Sequence, residues 1–312
     1  MENLAVERKF VISSSPHVRS PETVQKIMID VLISLVPAVI AAAVFFREEA
    51  IIPIIICLVA AMGTEFVLVR KGGFFSDGSA AVTGLLLALT LPPGVAWWIC
   101  VIGSATAIIM GKYIFGGLGS NTFNPALLGR AILLASWGGR MTEWVSPIDM
   151  RSTATPLADP GYGTPLMDLF TGNVAGCLGE TSAIALLIGG AYLMYKKHIN
   201  WRIPGTYIVS TFIIGTLLSP IGPQFDVTSG LFHVLAGGLL LGAIFMATDM
   251  VTSPVTTKGQ LIFGAGCGIL TVLIRIYGMY PEGVTFAILI MNALTPLIDG
   301  ATKPRIYGEV SK

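Results

Sequence analysis

VQKIMIDVLISLVPAVIAAAVFF, residues 24–46, decides the architecture. A bilayer core takes about 20 mostly apolar residues per helix, and this run carries only Lys26 and Asp30, both near its start. Outward from it, comparable runs recur at 51–69, 80–91, 96–115, 125–137, 181–195, 203–218, 231–250, 261–277 and 284–297, which predicts about ten spans. The runs at 80–91 and 125–137 are short and have Gly and Pro nearby. They predict broken or re-entrant helices enclosed in protein, because irregular backbone facing lipid would leave amides unpaired.

Composition agrees. Of 312 residues, 54% are hydrophobic and 12% charged, against roughly a quarter charged in a soluble domain. A net charge of +1 offers no basic surface for nucleic acid, so membrane lipid is the expected surroundings and no nucleic acid is expected as a partner. Cys57, Cys100, Cys177 and Cys267 are far apart, with no CxxC pair to build a local metal centre. Cys57, Cys100 and Cys267 read as small apolar residues within spans. The polar start, with Arg8, Lys9 and Arg19, lacks the apolar core of a cleaved signal, so the first span is expected to stay in the mature protein.

With the N-terminus in the cytoplasm, Lys26, Arg70, Lys71, Lys196, Lys197, Arg202, Lys258, Lys303, Arg305 and Lys312 join the N-terminal cations on that side, while Arg47, Arg140 and Arg151 fall on the other. Both termini are therefore expected to be cytoplasmic, and the long loop 138–180 to lie outside. Residues 84–90 match 242–248 at one offset, and Lys112, Thr122 and Phe123 match Arg275, Thr285 and Phe286 at an offset five residues larger. With five spans per half, this predicts two halves of opposite orientation, although Gly, Thr and aliphatic residues also match by chance. The expected fold is an all-α integral membrane protein of about ten transmembrane helices in two inverted five-helix repeats, with some short or broken helices. Its divisions are a cytoplasmic segment 1–23, a first repeat 24–137, the outer loop 138–180, a second repeat 181–299 and a cytoplasmic tail 300–312.

The loop holds Asp149, Met150, Arg151, Ser152, Thr153, Ala154, Thr155 and Pro156. As physics alone it is a polar, Pro-terminated loop in which Asp149 or Ser152 could cap a turn. The order Asp149, Ser152, Ala154, Thr155 resembles the flavin-attachment motif of a membrane-subunit family. That family comprises the D subunit of the Rnf complexes, which link ferredoxin and NAD, and the B subunit of the sodium-pumping NADH:quinone reductases. The resemblance covers nearly the whole chain, including the segment 116–131, and the length is nearer the Rnf branch.

The resemblance implies a cytoplasmic-membrane protein, bacterial or archaeal, that carries electrons through FMN joined by a phosphodiester to Thr155 and is coupled to Na+ or H+ translocation. Alone it would not be a complete enzyme. It implies a complex of about six Rnf subunits, with a flavin transferase acting outside the cytoplasm during maturation. The residue types suit the chemistry: a phosphodiester needs a hydroxyl, and Ala154 leaves room for a transferase and then the cofactor. Asp149 and Ser152 would shape the loop. Thr153, where relatives commonly have Gly, adds a second hydroxyl and a minor alternative acceptor. Arg140 and Arg151 could steady a phosphate or be solvated cations; Trp137, Trp144 and Tyr162 could stack on a ring or mark the membrane interface.

Residues 116–126, GGLGSNTFNPA, precede the fifth run. Their glycines suggest close backbone approach, and Asn124 followed by Pro125 is a good helix start. The resemblance adds that Asn121 and Asn124 match asparagines lining a second, non-covalent flavin site for riboflavin or FMN. Among ionisable residues near spans, Asp249 follows the repeated 242–248 segment and stands beside Thr248, Thr252 and Ser253. It is expected on an ion path or packing a broken helix. A competing class, a solute channel or permease of the ammonium or urea transporter type, shares the repeat plan. A paired pore histidine is hard to build from His17, His198 and His233, of which one falls in a span.

Overall fold

The computed structural model describes residues 22–69, 77–147, 151–158, 164–218, 227–278 and 282–304. Among these, the regular structure is helical, apart from one isolated antiparallel pairing of Val145 with Ser152. The helices are α1 (Val24–Phe46), α2 (Glu48–Val69), α3 (Ser79–Leu89), α4 (Trp97–Ile108, prolonged by a π turn Ile109–Tyr113), α5 (Pro125–Met141), α6 (Leu166–Thr171) and α7 (Ala183–Tyr195). They continue with α8 (Arg202–Leu218), α9 (Val227–Leu235), α10 (Leu239–Leu241, prolonged by a π turn Gly242–Met246), α11 (Thr257–Tyr277) and α12 (Val284–Ala301).

Each of the apolar runs carries a helix, but their lengths differ. Among the described residues four, namely α1, α2, α11 and α12, are long and apolar enough to cross a bilayer alone, and a fifth span results if α9 and α10, bent by 66°, are counted together. The chain is an all-α membrane protein whose outer faces carry exposed side chains such as Ile40, Val44, Val59, Val67 and Leu297, the surface lipid requires.

Two findings differ from the sequence reading. The run 231–250 predicts a continuous span, yet the chain breaks between α9 and α10, where Gly237 takes φ +69. Both halves are apolar, so the run carries no mark of where the chain changes direction. The run 125–137 does not stop at Trp137: helix α5 kinks there (φ −134°, ψ 46°) and continues to Met141.

Helix α3 is buried along nearly its whole length. Its first residues share a cavity with Thr248 and Asp249, just beyond the end of the α10 segment. Thr90 at its other end shares a second cavity with Gly238, just before α10. The two half-length segments therefore run antiparallel inside the bundle. Around them, α1 packs on α7, α2 on α3 and α4, α5 on α4 and α12, and α11 on α8 and α12. Gly264 and Gly268, four apart on α11, let it touch α8: a Cβ added at either would lie 2.7 Å from the Ile203 carbonyl oxygen or 2.8 Å from that of Tyr207.

Candidate functional site

The loop folds locally before it packs on the bundle. Ser146 N donates to Arg151 O (2.9 Å) and Thr153 N to Trp144 O (3.0 Å), which closes a narrow hairpin around Ser152. A 3-10 turn, Pro156–Ala158, follows, with Ala158 N donating to Thr155 O at 2.9 Å. The far end is pinned to α3, because Leu178 N and Gly179 N donate to Leu91 O and Leu89 O at 3.0 and 2.6 Å. A hollow of about 500 Å3 opens in this loop, lined by Ser146, Thr153, Ala154, Pro156, Ala158, Thr164, Asn173, Val174 and Ala175. That volume is in the range of small-molecule sites.

Ser152, Thr153 and Ala154 are exposed, whereas Thr155 is 2% exposed and is not on the hollow's wall, although both its neighbours are. Attachment at Thr155 therefore requires this residue to turn outward; Thr153 already faces the hollow. Asp149 and Tyr162 lie outside the described residues. Ser152 caps nothing that the structure displays; it sits in the isolated pairing with Val145. Arg140 and Arg151 are exposed. Trp137 packs edge-on against Trp98, with centroids 5.2 Å apart, and Trp144 is buried in a small cluster with Ala175 and Cys177. Neither indole lines the hollow.

A cavity of about 110 Å3 lies where α3 begins and the α10 segment ends. It brings together Asn121, Asn124, Asp249 and Lys112, joined in the sequence reading only by separate hints. Asn124 is the N-cap of α5: its Oδ1 accepts from Ala126 N (3.0 Å) and Leu127 N (3.3 Å), and its Nδ2 donates to Met246 O (3.1 Å) at the end of the π turn. Its polar atoms are spent on helix ends. Asn121 Nδ2 donates to Phe123 O at 3.3 Å, while its buried Oδ1 has no partner, which leaves an acceptor for a ligand. Asp249 accepts from Val251 N (3.4 Å) and the Thr252 hydroxyl (3.3 Å). Gly116, Gly117 and Gly119 take φ +110, +99 and +96, and nothing lies within 4 Å of a Cβ placed on the latter two. They serve the turn rather than the close approach expected of them.

The sequence reading missed two buried ion clusters. On the cavity side, Lys112 is 2% exposed and donates to Glu65 Oε1 (2.5 Å), Ser79 Oγ (2.5 Å) and Asp77 Oδ2 (3.4 Å), while Tyr113 OH donates to Glu65 Oε1 (2.8 Å). Beneath the loop, Arg130 pairs with Glu282 and donates to Cys177 Sγ at 3.4 Å, and the Cys177 thiol donates to Glu282 Oε1 at 3.2 Å. Burial pushes the Cys177 thiol up to about 12, so it stays protonated. Glu65, Asp77, Lys112, Arg130 and Glu282 are each legible in the sequence as ionisable residues in or near spans; which of them pair is not, because Lys112 and Glu65 lie 47 residues apart and Cys177 and Glu282 lie 105 apart.

His198 bonds Asp30 Oδ2 (2.8 Å) between α7 and α1, while His233 lies on α9, so the described histidines form no pair along one pore.

Half-length helices meeting inside a bundle, buried ions at both ends of that junction and a hollowed loop together define a polytopic membrane protein with cavities inside its bundle and in the attached loop. The chain belongs to the NQR2, RnfD, RnfE family, whose profile matches residues 11–308. It is 47% identical, over 97% of its length and 96% of the relative's, to the D subunit of the Na(+)-translocating ferredoxin:NAD(+) oxidoreductase complex of Acetobacterium woodii. It is 46% identical, over 96% of both chains, to the D subunit of the proton-translocating ferredoxin:NAD(+) oxidoreductase complex of Clostridium ljungdahlii. The D subunit of an ion-translocating oxidoreductase complex of Escherichia fergusonii is 34% identical over 96% of this chain and 98% of its own.

Proposed function

We propose that this chain is the D subunit of an ion-translocating ferredoxin:NAD+ oxidoreductase complex, carrying electrons through FMN esterified to Thr155, with a second, non-covalent flavin at Asn121. The observation that carries the subunit reading is near-full-length identity of 47% to the D subunit of a Na(+)-translocating ferredoxin:NAD(+) oxidoreductase complex; the flavin rests on the order Asp149, Ser152, Ala154, Thr155 in the loop. The loop hollow of about 500 Å3 beside Thr155 supports it.

A flavin supplies reversible one- and two-electron transfer. The chain's residues supply the rest. The Thr155 hydroxyl oxygen, once the residue turns outward, would attack the FMN phosphorus of FAD, losing its proton as the pyrophosphate bond breaks and AMP leaves, and Ala154 and Pro156 flank the hollow that would receive the flavin. Arg151, exposed within the hairpin, would offset phosphate charge if it turned toward the ester. In the inner cavity, whose volume of about 110 Å3 would have to widen to admit a flavin, Asn121 Oδ1 would accept a hydrogen bond from a ring or ribityl donor, while Asn124 holds the start of α5 against the end of the α10 segment. Asp249, on the same cavity, offers a carboxylate to a cation entering there. The bias of Lys and Arg supports termini in the cytoplasm and the loop outside. The antiparallel pairing of α3 with the α10 segment supports the inverted repeat.

Protein matured together with its flavin transferase should fluoresce under ultraviolet light at its band on a denaturing gel. Thr155→Val should abolish that band and Thr153→Val should keep it. Loss with Thr153→Val instead moves the ester to Thr153, and a dark wild-type band removes the electron-carrier reading.

A further inference from the structure

The junction of α3 with α10 has a second end, away from Asp249, where Glu180 is enclosed and 6% exposed. Its Oε2 accepts from Cys177 N at 3.2 Å, but its Oε1 has no hydrogen-bond partner. Buried carboxylate oxygens are rarely left so, because desolvation without a partner is costly. That oxygen faces Gly238: a Cβ placed there would lie 2.9 Å from it, so the missing side chain keeps the space beside Oε1 open. Thr90, Arg130, Glu180, Gly238, Glu282 and Thr285 share a cavity of about 10 Å3 here, room for one water-sized particle.

The charges do not balance. Arg130 neutralises Glu282, and Cys177 holds its proton and donates it toward Glu282, which leaves Glu180 with one uncompensated negative charge. Carboxylate and hydroxyl oxygens are hard donors that suit hard cations. The Thr90 hydroxyl spends its proton on Leu87 O at 2.7 Å, so its oxygen is free to accept a cation. A divalent ion would leave an excess of positive charge in its place.

We infer that this enclosure is a sodium site, with Glu180 Oε1 as its charged ligand, the Thr90 and Thr285 hydroxyls as neutral ones, and the Arg130–Glu282 pair as its wall. The inference rests on the ion-translocating reading above and locates a binding position on the loop side, at the opposite end of the half-helix junction from Asp249.

Equilibrium binding of radioactive sodium to the purified complex in a potassium background tests it, with Glu180→Gln and Gly238→Ala beside the wild type. Gly238 has φ −73°, so alanine fits the backbone there and meets only the mobile end of Glu180. Both variants should lose at least about tenfold in sodium affinity while keeping the flavin fluorescence of this chain's band. If Glu180→Gln fails to assemble, Gly238→Ala decides. Wild-type affinity in either assembled variant, or no sodium binding by the wild-type complex, overturns the site. Flavin fluorescence scores the electron-carrier reading separately, so a dark band with normal sodium binding would sink that reading and not this one.

Discussion

The two buried ion clusters have the same stoichiometry and opposite character. Each holds one cation between two carboxylates: Lys112 between Glu65 and Asp77, and Arg130 beside Glu282 with Glu180 a short way off. Around Lys112 the spare charge is handled. The Asp77 side chain is 25% exposed and its Oδ1 accepts from Ser79 N and Oγ at 3.0 and 2.8 Å, while Glu65 is shared with Tyr113. Around Arg130 it is not, because Glu180 is enclosed and one of its oxygens faces an empty space. A fully satisfied buried network is scaffold. An unsatisfied one with room beside it is a binding site.

Lys112→Met breaks this contrast most severely. It strands two carboxylates in the bundle and should cost about 3–5 kcal/mol. Thermal unfolding of the purified complex would record it, and added sodium should not restore the loss. If sodium does restore it, the Lys112 cluster is a cation site as well and the distinction between the clusters fails. Asn124→Ala comes next, at about 2 kcal/mol, since two helix amides and the Met246 carbonyl lose their partner. Asn121→Ala should be mildest in stability, about 1 kcal/mol for one bond to Phe123 O, yet it should release more of the extractable, non-covalent flavin than its stability loss explains. Equal flavin retention in Asn121→Ala and wild type would make Asn121 a loop residue only.

Much of the scaffold was legible in the sequence because it depends on local signals. The limits of α1 follow from an uninterrupted apolar run, and Asn124–Pro125 starts α5 through the capping and fixed φ that those residues carry. The break at Gly237–Gly238 was hidden, since α9 and α10 are both apolar and together read as one apolar run. Short α6 was hidden in the polar loop. At the candidate sites, the hydroxyls of the loop and the asparagines of 116–126 could be picked out by type and order. That Asn121 and Asp249 share a cavity, and that Glu180 is shut away beneath the loop, depends on contacts between distant segments, which no local pattern encodes.

A flavin ester on the loop would be carried by the tryptic peptide spanning residues 152–196, which contains both Thr153 and Thr155. Fragmentation mass spectrometry of that peptide, from natively matured protein, should find it heavier by FMN less one water, with the added mass on Thr155. An unmodified peptide from fully matured complex contradicts the account.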